Sequence, residues 1–177
     1  MERCSWAEGN ELLKQYHDTE YGFAVSDDTK IFERLMLEIY QAGLSWRLVL
    51  EKRDGFKSAF YQFDIHKIAA MEDSELEKLR ENPDIIRNKL KIYATRNNAK
   101  VALDLIDQYG SLLNYFSTID YQINGDPKEA YKPVVKRMKQ DGFKFIGPMI
   151  LDEFFKSIGL VDVIHDPHCF LYEENSH

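Results

Sequence analysis

Apolar residues along this chain recur at the three-to-four-residue interval of a helix, and nowhere do they alternate with polar residues long enough to suggest a strand. Ser26, Asp27 and Asp28 offer cap oxygens before the apolar stripe Ile31, Phe32, Leu35, Met36 and Ile39, which runs on to Ala42 and stops at Gly43. A second helix is expected to begin near Ser45 and end by Gly55. Asp64, Ser74 and Asp84, the last after Pro83, mark further starts, and the run from Asp84 to about Gln108 is the longest periodic segment. Ser117 to Pro127 reads as a loop. It closes on Asp126-Pro127-Lys128-Glu129, which has the form of a capping box with proline at the first helical position, and Pro133 then interrupts or restarts that helix. The pattern predicts an all-α protein.

Between Lys132 and Gly159, a helix carrying Lys136, Arg137 and Lys139 leads into Asp141-Gly142-Phe143-Lys144-Phe145-Ile146-Gly147-Pro148. Two glycines permit a tight turn with outward-facing amides. A helix opening at Pro148 presents unpaired amides and a positive dipole end to a phosphate. This is the form of a helix-hairpin-helix at about 132–159; a glycine-bounded turn with solvent-facing lysines is the plainer alternative. Earlier in the chain, Glu38 lies three residues after Leu35 at the edge of the apolar stripe. A carboxylate there is either paired with Arg34 on the solvent side or lines a pocket, where low dielectric makes it seek a cation or donors. Trp6, Tyr16, Tyr21, Tyr40 and Trp46 enrich the same region in aromatics, which are core by default but also suit a pocket for a flipped, positively charged base.

The length of 177 residues with 44% hydrophobic content fits one domain, 1–177, with enough apolar material for a real core. A net charge of −7 argues against a general polyanion binder, so any nucleic-acid contact must be local. No segment reads as a signal peptide or membrane span, and a cytoplasmic protein is expected. The two cysteines provide no disulfide framework, and a reducing compartment leaves thiolates free for metal. Cys4 and His17 near one end and His165 and Cys169 near the other form a Cys2His2 set, which fills zinc's tetrahedral positions and leaves no place for a reacting water. Such a metal would staple the termini. Scattered core and surface residues are the alternative, and His168 is a competing ligand.

Five motifs, in order and spanning nearly the whole chain, resemble the 3-methyladenine DNA glycosylase I family: Cys4-Ser5-Trp6; Tyr16-His17-Asp18-Thr19-Glu20-Tyr21-Gly22; Glu38 with Gln41-Ala42-Gly43-Leu44-Ser45-Trp46; Ile85-Ile86-Arg87-Asn88 with Lys91-Ile92; and Gly142 to Gly147. The resemblance implies the all-helical helix-hairpin-helix DNA glycosylase fold and a structural zinc site built from Cys4, His17, His165 and Cys169. It assigns base hydrogen bonds to Glu38 and Tyr16, with Glu38 as the catalytic residue, stacking to Trp46 and a pocket wall to Trp6. Gly43 and Leu44 would enter the gap left by the extruded nucleotide, and the hairpin, with Gly142, Lys144 and Gly147, would hold the phosphodiester backbone. The implied activity is monofunctional hydrolysis of the glycosidic bond of 3-methyladenine in alkylated double-stranded DNA by a monomer. Relatives in the superfamily that also cut the backbone carry a lysine just after the second hairpin glycine, where this chain has Pro148-Met149.

The chain departs from the family pattern in places. Tyr21 stands where tryptophan is usual, Ile39-Tyr40 where Gly-Gln is usual and Leu13 where tyrosine often lies, and the segment Gly159 to His165 is one residue longer. Tyr40 is expected to bring a bulky ring close to Glu38. These changes leave two alternatives to the preferred reading: a zinc-stapled DNA-binding module without excision, or a glycosylase for a different modified purine. Asp162 and Asp166 lie where many superfamily members place a catalytic aspartate, but the chain resembles the branch that lacks it.

Overall fold

The structure, a computed structural model, describes residues 1–173. Its regular elements are ten α-helices and two short 3-10 turns, with no strand among the described residues. The helices are α1 (Glu11–Thr19), α2 (Asp28–Gln41), α3 (Trp46–Ala59), α4 (Ile65–Ala69), α5 (Asp73–Leu79), α6 (Lys89–Tyr109), α7 (Leu112–Ser117), α8 (Pro127–Ala130), α9 (Lys132–Gln140) and α10 (Pro148–Ser157). None of them is long and apolar enough to cross a membrane.

Helix α2 is the centre of the fold. Asp27 caps it by accepting from the Lys30 amide, and every residue from Ile31 to Tyr40 is buried. Helices α3, α6 and α10 pack around it. Phe154 and Phe155 of α10 sit in an aromatic cluster with Phe116 and Tyr131, each such side chain contributing roughly 1.5–3 kcal/mol of burial. Ser45 caps α3, Asp64 caps α4 and Asp126 caps α8 through side-chain oxygens. Glu129 does not complete the capping box; its carboxylate accepts from Lys132 Nζ at 2.6 Å instead. Helix α9 restarts at Lys132 with Pro133 in its first turn.

Three boundaries differ from the sequence expectation. Helix α5 starts earlier than Ser74, because Glu72 and Glu75 make the reciprocal capping box. Helix α6 starts later than Asp84: Asn88 supplies the cap, while Asp84 to Arg87 form a turn with Ile85 as buried anchor. Helix α3 does not end at Gly55 but runs through it to Ala59. Gly55 is there for close approach, since a Cβ at this position would collide with the Asp84 carbonyl. The turn that delays α6 is therefore seated on the glycine that α3 passes through.

Gly55→Ala should accordingly cost at least about 2–3 kcal/mol, because the clash is with backbone that cannot rotate away. Gly147→Ala, whose Cβ would meet nothing within 4 Å, should cost far less. Urea unfolding of the two variants checks the contrast, and equal midpoints would contradict it.

Candidate active site

The C-terminal end of α2, the start of α3, the first turns of α10 and the N-terminal segment enclose a cavity of about 320 Å3 lined by Trp6, Tyr16, Tyr21, Glu38, Gln41, Trp46 and Glu153. The two tyrosines and two tryptophans make an aromatic box. Tyr16 lies 5.2 Å from Trp46 and 5.9 Å from Tyr21, and Trp6 stands edge-on to Tyr21 at 5.4 Å, centroid to centroid. The Tyr16 hydroxyl and the Trp46 indole N–H are buried and find no partner among the described residues.

Glu38 is only 5% exposed and makes no ion pair among the described residues. Arg34, one turn earlier, does not reach it: the guanidinium lies over the Tyr16 ring and donates to Glu20 at 3.1 Å and to the Ser157 carbonyl at 3.1 Å. Glu20 and Glu33 also hold Arg53, with Glu33 at 2.6 Å, so the larger cleft of about 740 Å3 around these residues is lined by charges that are already cross-paired. Burial first and the neighbouring Glu153 second push the Glu38 carboxyl from its ordinary value up to about 8, with Arg34 opposing weakly. In the free protein Glu38 therefore holds its proton at neutral pH, whereas the sequence suggested a carboxylate. Burial also raises the hydroxyls of Tyr16 and Tyr21, which stay protonated.

Tyr40 does not crowd this cavity. It points into the core, fully buried, with its ring 4.5 Å from Phe56 and its hydroxyl 2.9 Å from Thr95 Oγ1. Glu153 is the lining residue that sequence reasoning missed. On α10 it shares no motif with Glu38, and its spacing from the apolar positions of its own helix marks only a surface carboxylate. The Tyr21 hydroxyl donates to its Oε2 at 3.4 Å. Gly43 and Leu44 form the exposed turn beside the cavity between α2 and α3, where Gln41 holds the Leu44 carbonyl.

The ligand atoms of Cys4, His17, His165 and Cys169 lie within 4.8 Å of one another, so this group could hold a metal ion. Its surroundings suit one. The Asp166 amide donates to Cys4 Sγ at 3.3 Å and the Leu171 amide to Cys169 Sγ at 3.4 Å, while Asp18 fixes His17 through Nδ1 at 2.9 Å and is itself held by Arg3. Burial pushes the Cys4 thiol up to about 11, so the thiolate form needs a cation beside it. His168 lies outside the group, 3.8 Å from Asp166. Asp166 is occupied in accepting from Ser5 N and Oγ, and neither it nor Asp162 lines the aromatic cavity.

The hairpin from Asp141 to Gly147 joins α9 to α10. Gly142 takes φ +105°, a value that only glycine adopts readily, and Phe143 and Ile146 anchor the turn in the core. Asn98 of α6 clamps it from below, accepting from the Lys144 amide at 2.9 Å and donating to the Lys144 carbonyl at 3.2 Å. Lys144 and Phe145 are left exposed, with Lys91 6.0 Å from the Phe145 ring. Gly147 caps α10 without a side-chain acceptor, so the first amides of that helix face outward unpaired by any side chain.

An aromatic cavity with acidic groups, a glycine-bounded hairpin and an all-helical frame mark a protein of the DNA-glycosylase class. Residues 6–172 match the family model for methyladenine glycosylase, and the chain belongs to that family. It is 36% identical to DNA-3-methyladenine glycosylase 1 of Escherichia coli, with 99% of each chain covered. The crystal structure of a 3-methyladenine DNA glycosylase I superposes with a TM-score of 0.85 at 36% identity, over 97% of this chain and all of the other. A solved structure of 3-methyladenine DNA glycosylase I from Staphylococcus aureus, which recognises 3-methyladenine, superposes with a TM-score of 0.85 at 29% identity, over 97% of each chain.

The Glu38 pKa has a consequence for stability. Below the ordinary carboxylate range both folded and unfolded chains are protonated at this residue; as pH rises from about 4.5 towards 8 only the unfolded chain ionises, so the folded state loses stability. Glu38→Gln should therefore be more stable than the parent at pH 8, by on the order of 2–4 kcal/mol, with a much smaller gain at pH 5. Denaturant melts at both pH values check this. A gain independent of pH would contradict it.

Proposed function

We infer that this chain is a DNA repair hydrolase that removes 3-methyladenine from alkylated double-stranded DNA, working as a monofunctional glycosylase and as a cytoplasmic monomer with one domain over 1–177. The observation that carries the reading is the cavity itself: two acids and four aromatic rings, with no lysine or arginine in the lining. Such a box favours a flat, positively charged guest.

Methylation at ring nitrogen 3 leaves adenine with a positive charge, so the base is already a good leaving group and needs little general-acid help. The protein's work is to extrude, select and orient. The Trp46 face, with Tyr16 and Trp6 as walls, stacks on the cation, and Glu38 hydrogen-bonds the base edge in a site where desolvation strengthens each contact. Gly43 lets the α2–α3 turn approach the base stack, and Leu44 fills the vacated volume, offsetting part of the few kcal/mol that unstacking costs. The hairpin, with Gly142, Lys144, Gly147 and the open first turn of α10, takes the phosphodiester backbone. As the glycosidic bond breaks, its electron pair passes to the base and neutralises the ring. Water adds to the sugar carbon and loses a proton. With Pro148-Met149 following the hairpin glycine, no amine stands there to form a Schiff base with the opened sugar.

The metal group fits zinc: two thiolates and two imidazoles make a closed tetrahedral set. Cys4, His17, His165 and Cys169 would hold it as a structural ion, and it would supply folding energy without chemistry. Held there, it would tie the segment that carries Trp6 and Tyr16 to the C-terminal segment.

Incubation with methylated duplex DNA and chromatography of the freed bases tests the activity. Release of 3-methyladenine is expected, with 7-methylguanine largely retained, because its carbonyl oxygen stands where adenine has its amino group and would face an acceptor. DNA binding with no base released would favour a binding module instead. Metal analysis of unchelated protein should return about one zinc per chain. Cys4→Ser and Cys169→Ser should lower stability by several kcal/mol while changing activity per folded molecule little. A metal-free parent of normal stability would contradict the staple.

A further inference from the structure

The entry to α6 sets Arg87, Asn88, Lys89 and Leu90 at the surface, with Lys91 half-buried behind them. Leu90 is 68% exposed, against 38% for Leu44 in the α2–α3 turn. A lone surface leucine is ordinary in a soluble protein, so its neighbours decide what it does. In a chain of net charge −7, the stretch from Ile85 to Leu103 contains no acidic residue. Arg87, Lys89 and Lys91 make no ion pair among the described residues, whereas Arg96, further along α6, is paired with Asp73. Glu77, the acid that feels Lys89, is already taken up by Arg80 and Tyr93. An exposed leucine flanked by uncommitted cations suits a polyanion that also offers apolar surface.

Packing sets this leucine beside the turn that carries Leu44. Helices α2 and α6 run antiparallel: Asn98 Nδ2 meets Met36 Sδ at 3.6 Å, and one turn nearer the start of α6 and the end of α2, Thr95 Oγ1 meets the Tyr40 hydroxyl at 2.9 Å. One further turn along each brings α6 to Leu90 and Lys91 and α2 to Gly43 and Leu44. The two exposed leucines thus stand at the same end of the molecule, offset by about 8–10 Å, the distance between packed helix axes and roughly two to three stacked base pairs. The hairpin flanks the other side. Leu90 precedes Asn97 by seven residues on the same side of α6, Asn97 donates to the Gly142 carbonyl at 2.9 Å, and the Lys91 ammonium lies 6.0 Å from the Phe145 ring. Phe145 takes φ +63°, which a bulky residue rarely adopts, and its ring is left 40% exposed beside the lysine. Resting on the glycosylase reading above, we propose that Leu90 is a second apolar wedge for DNA: it enters the minor groove two to three base pairs from the extruded nucleotide, with Arg87, Lys89 and Lys91 on the neighbouring phosphates. An apolar side chain pressed between base steps partly unstacks and bends the duplex, and cations beside it draw the phosphates in. Leu44 fills the gap at the lesion, and Leu90 holds the bend at a distance from it.

The test uses duplexes with a tetrahydrofuran abasic site and, two or three base pairs from it on either side and in either strand, 2-aminopurine, a base whose fluorescence rises when it unstacks. Affinity and fluorescence are measured for the parent, Leu90→Ala and Leu90→Met. Alanine and methionine both suit an exposed helical position, and thermal melting checks that each variant is folded. The parent should brighten at least one reporter. Leu90→Ala should bind the abasic duplex about tenfold more weakly, the loss expected for one leucine withdrawn from an apolar contact, and should lose the brightening, while Leu90→Met keeps both. Affinity for undamaged duplex, which rests on phosphate contacts, should stay within about twofold. A parent that brightens no reporter, a Leu90→Ala variant with parental affinity and brightness, or a Leu90→Met variant that behaves like alanine overturns the proposal. An equal loss on undamaged duplex overturns it too, because it would place Leu90 in unspecific binding. Failure of the parent to release 3-methyladenine from methylated duplex DNA overturns the glycosylase reading instead, so the two outcomes are distinguishable.

Discussion

A carboxyl group held out of water with no cation beside it is the constraint on which the rest of the site depends. Glu38 is on the most deeply buried helix of the fold, and among the described residues the other charged side chain that lines its cavity is an acid, Glu153. Removing a carboxylate from water costs far more than removing a carboxylic acid, so the free pocket keeps its proton and the folded chain bears the penalty as pH rises. The compensation comes with the guest. On the function proposed, a positively charged base would replace the missing counter-ion, and the same dry surroundings that disfavour the empty ionised pocket would strengthen the filled one.

Holding such a pocket open requires a frame that cannot collapse onto it. Arg34, the cation best placed to neutralise Glu38, is diverted by Glu20 and by the carbonyl of Ser157 at the end of α10, and its guanidinium covers the far face of the Tyr16 box. The Cys4, His17, His165 and Cys169 group brings the chain on either side of Trp6 and Tyr16 together with the C-terminal segment, and a metal held there would fix the two to each other. Below the hairpin, Asn98 satisfies both the amide and the carbonyl of Lys144, which lets a glycine-containing turn hold one shape at the surface. Each of these contacts uses polar groups to fix backbone, and leaves aromatic faces free.

Most of the architecture was legible in the sequence because it rests on local signals. Asp27, Ser45, Asp64 and Asp126 announce their helices through cap oxygens, and the apolar stripe of α2 has the right period and the right stop. The misread boundaries are non-local. Gly55 reads as a helix stop until the Asp84 turn is seen packed against it, and Asp84 reads as a helix start for want of that same partner. At the site, Trp6, Tyr16, Glu38 and Trp46 could be gathered from motif and composition. Tyr40 could not be sorted from them, because a tyrosine at a helix edge points to core or pocket according to its partner, here Thr95 on α6. Glu153 left no local trace: only the fold brings α10 to the mouth of the box, and only then do two acids stand against one guest.

The behaviour of the pocket turns on Glu38 being protonated at neutral pH when the pocket is free. Carbon-13 NMR of glutamate side-chain carboxyls, titrated from pH 4 to 10 with Glu38→Gln to assign the signal, reads that state directly. One carboxyl should titrate near pH 8 in the parent and vanish in the variant. If every glutamate titrates below about pH 5.5, within the ordinary spread for exposed carboxyls, Glu38 is an ordinary carboxylate and the account of the pocket is wrong.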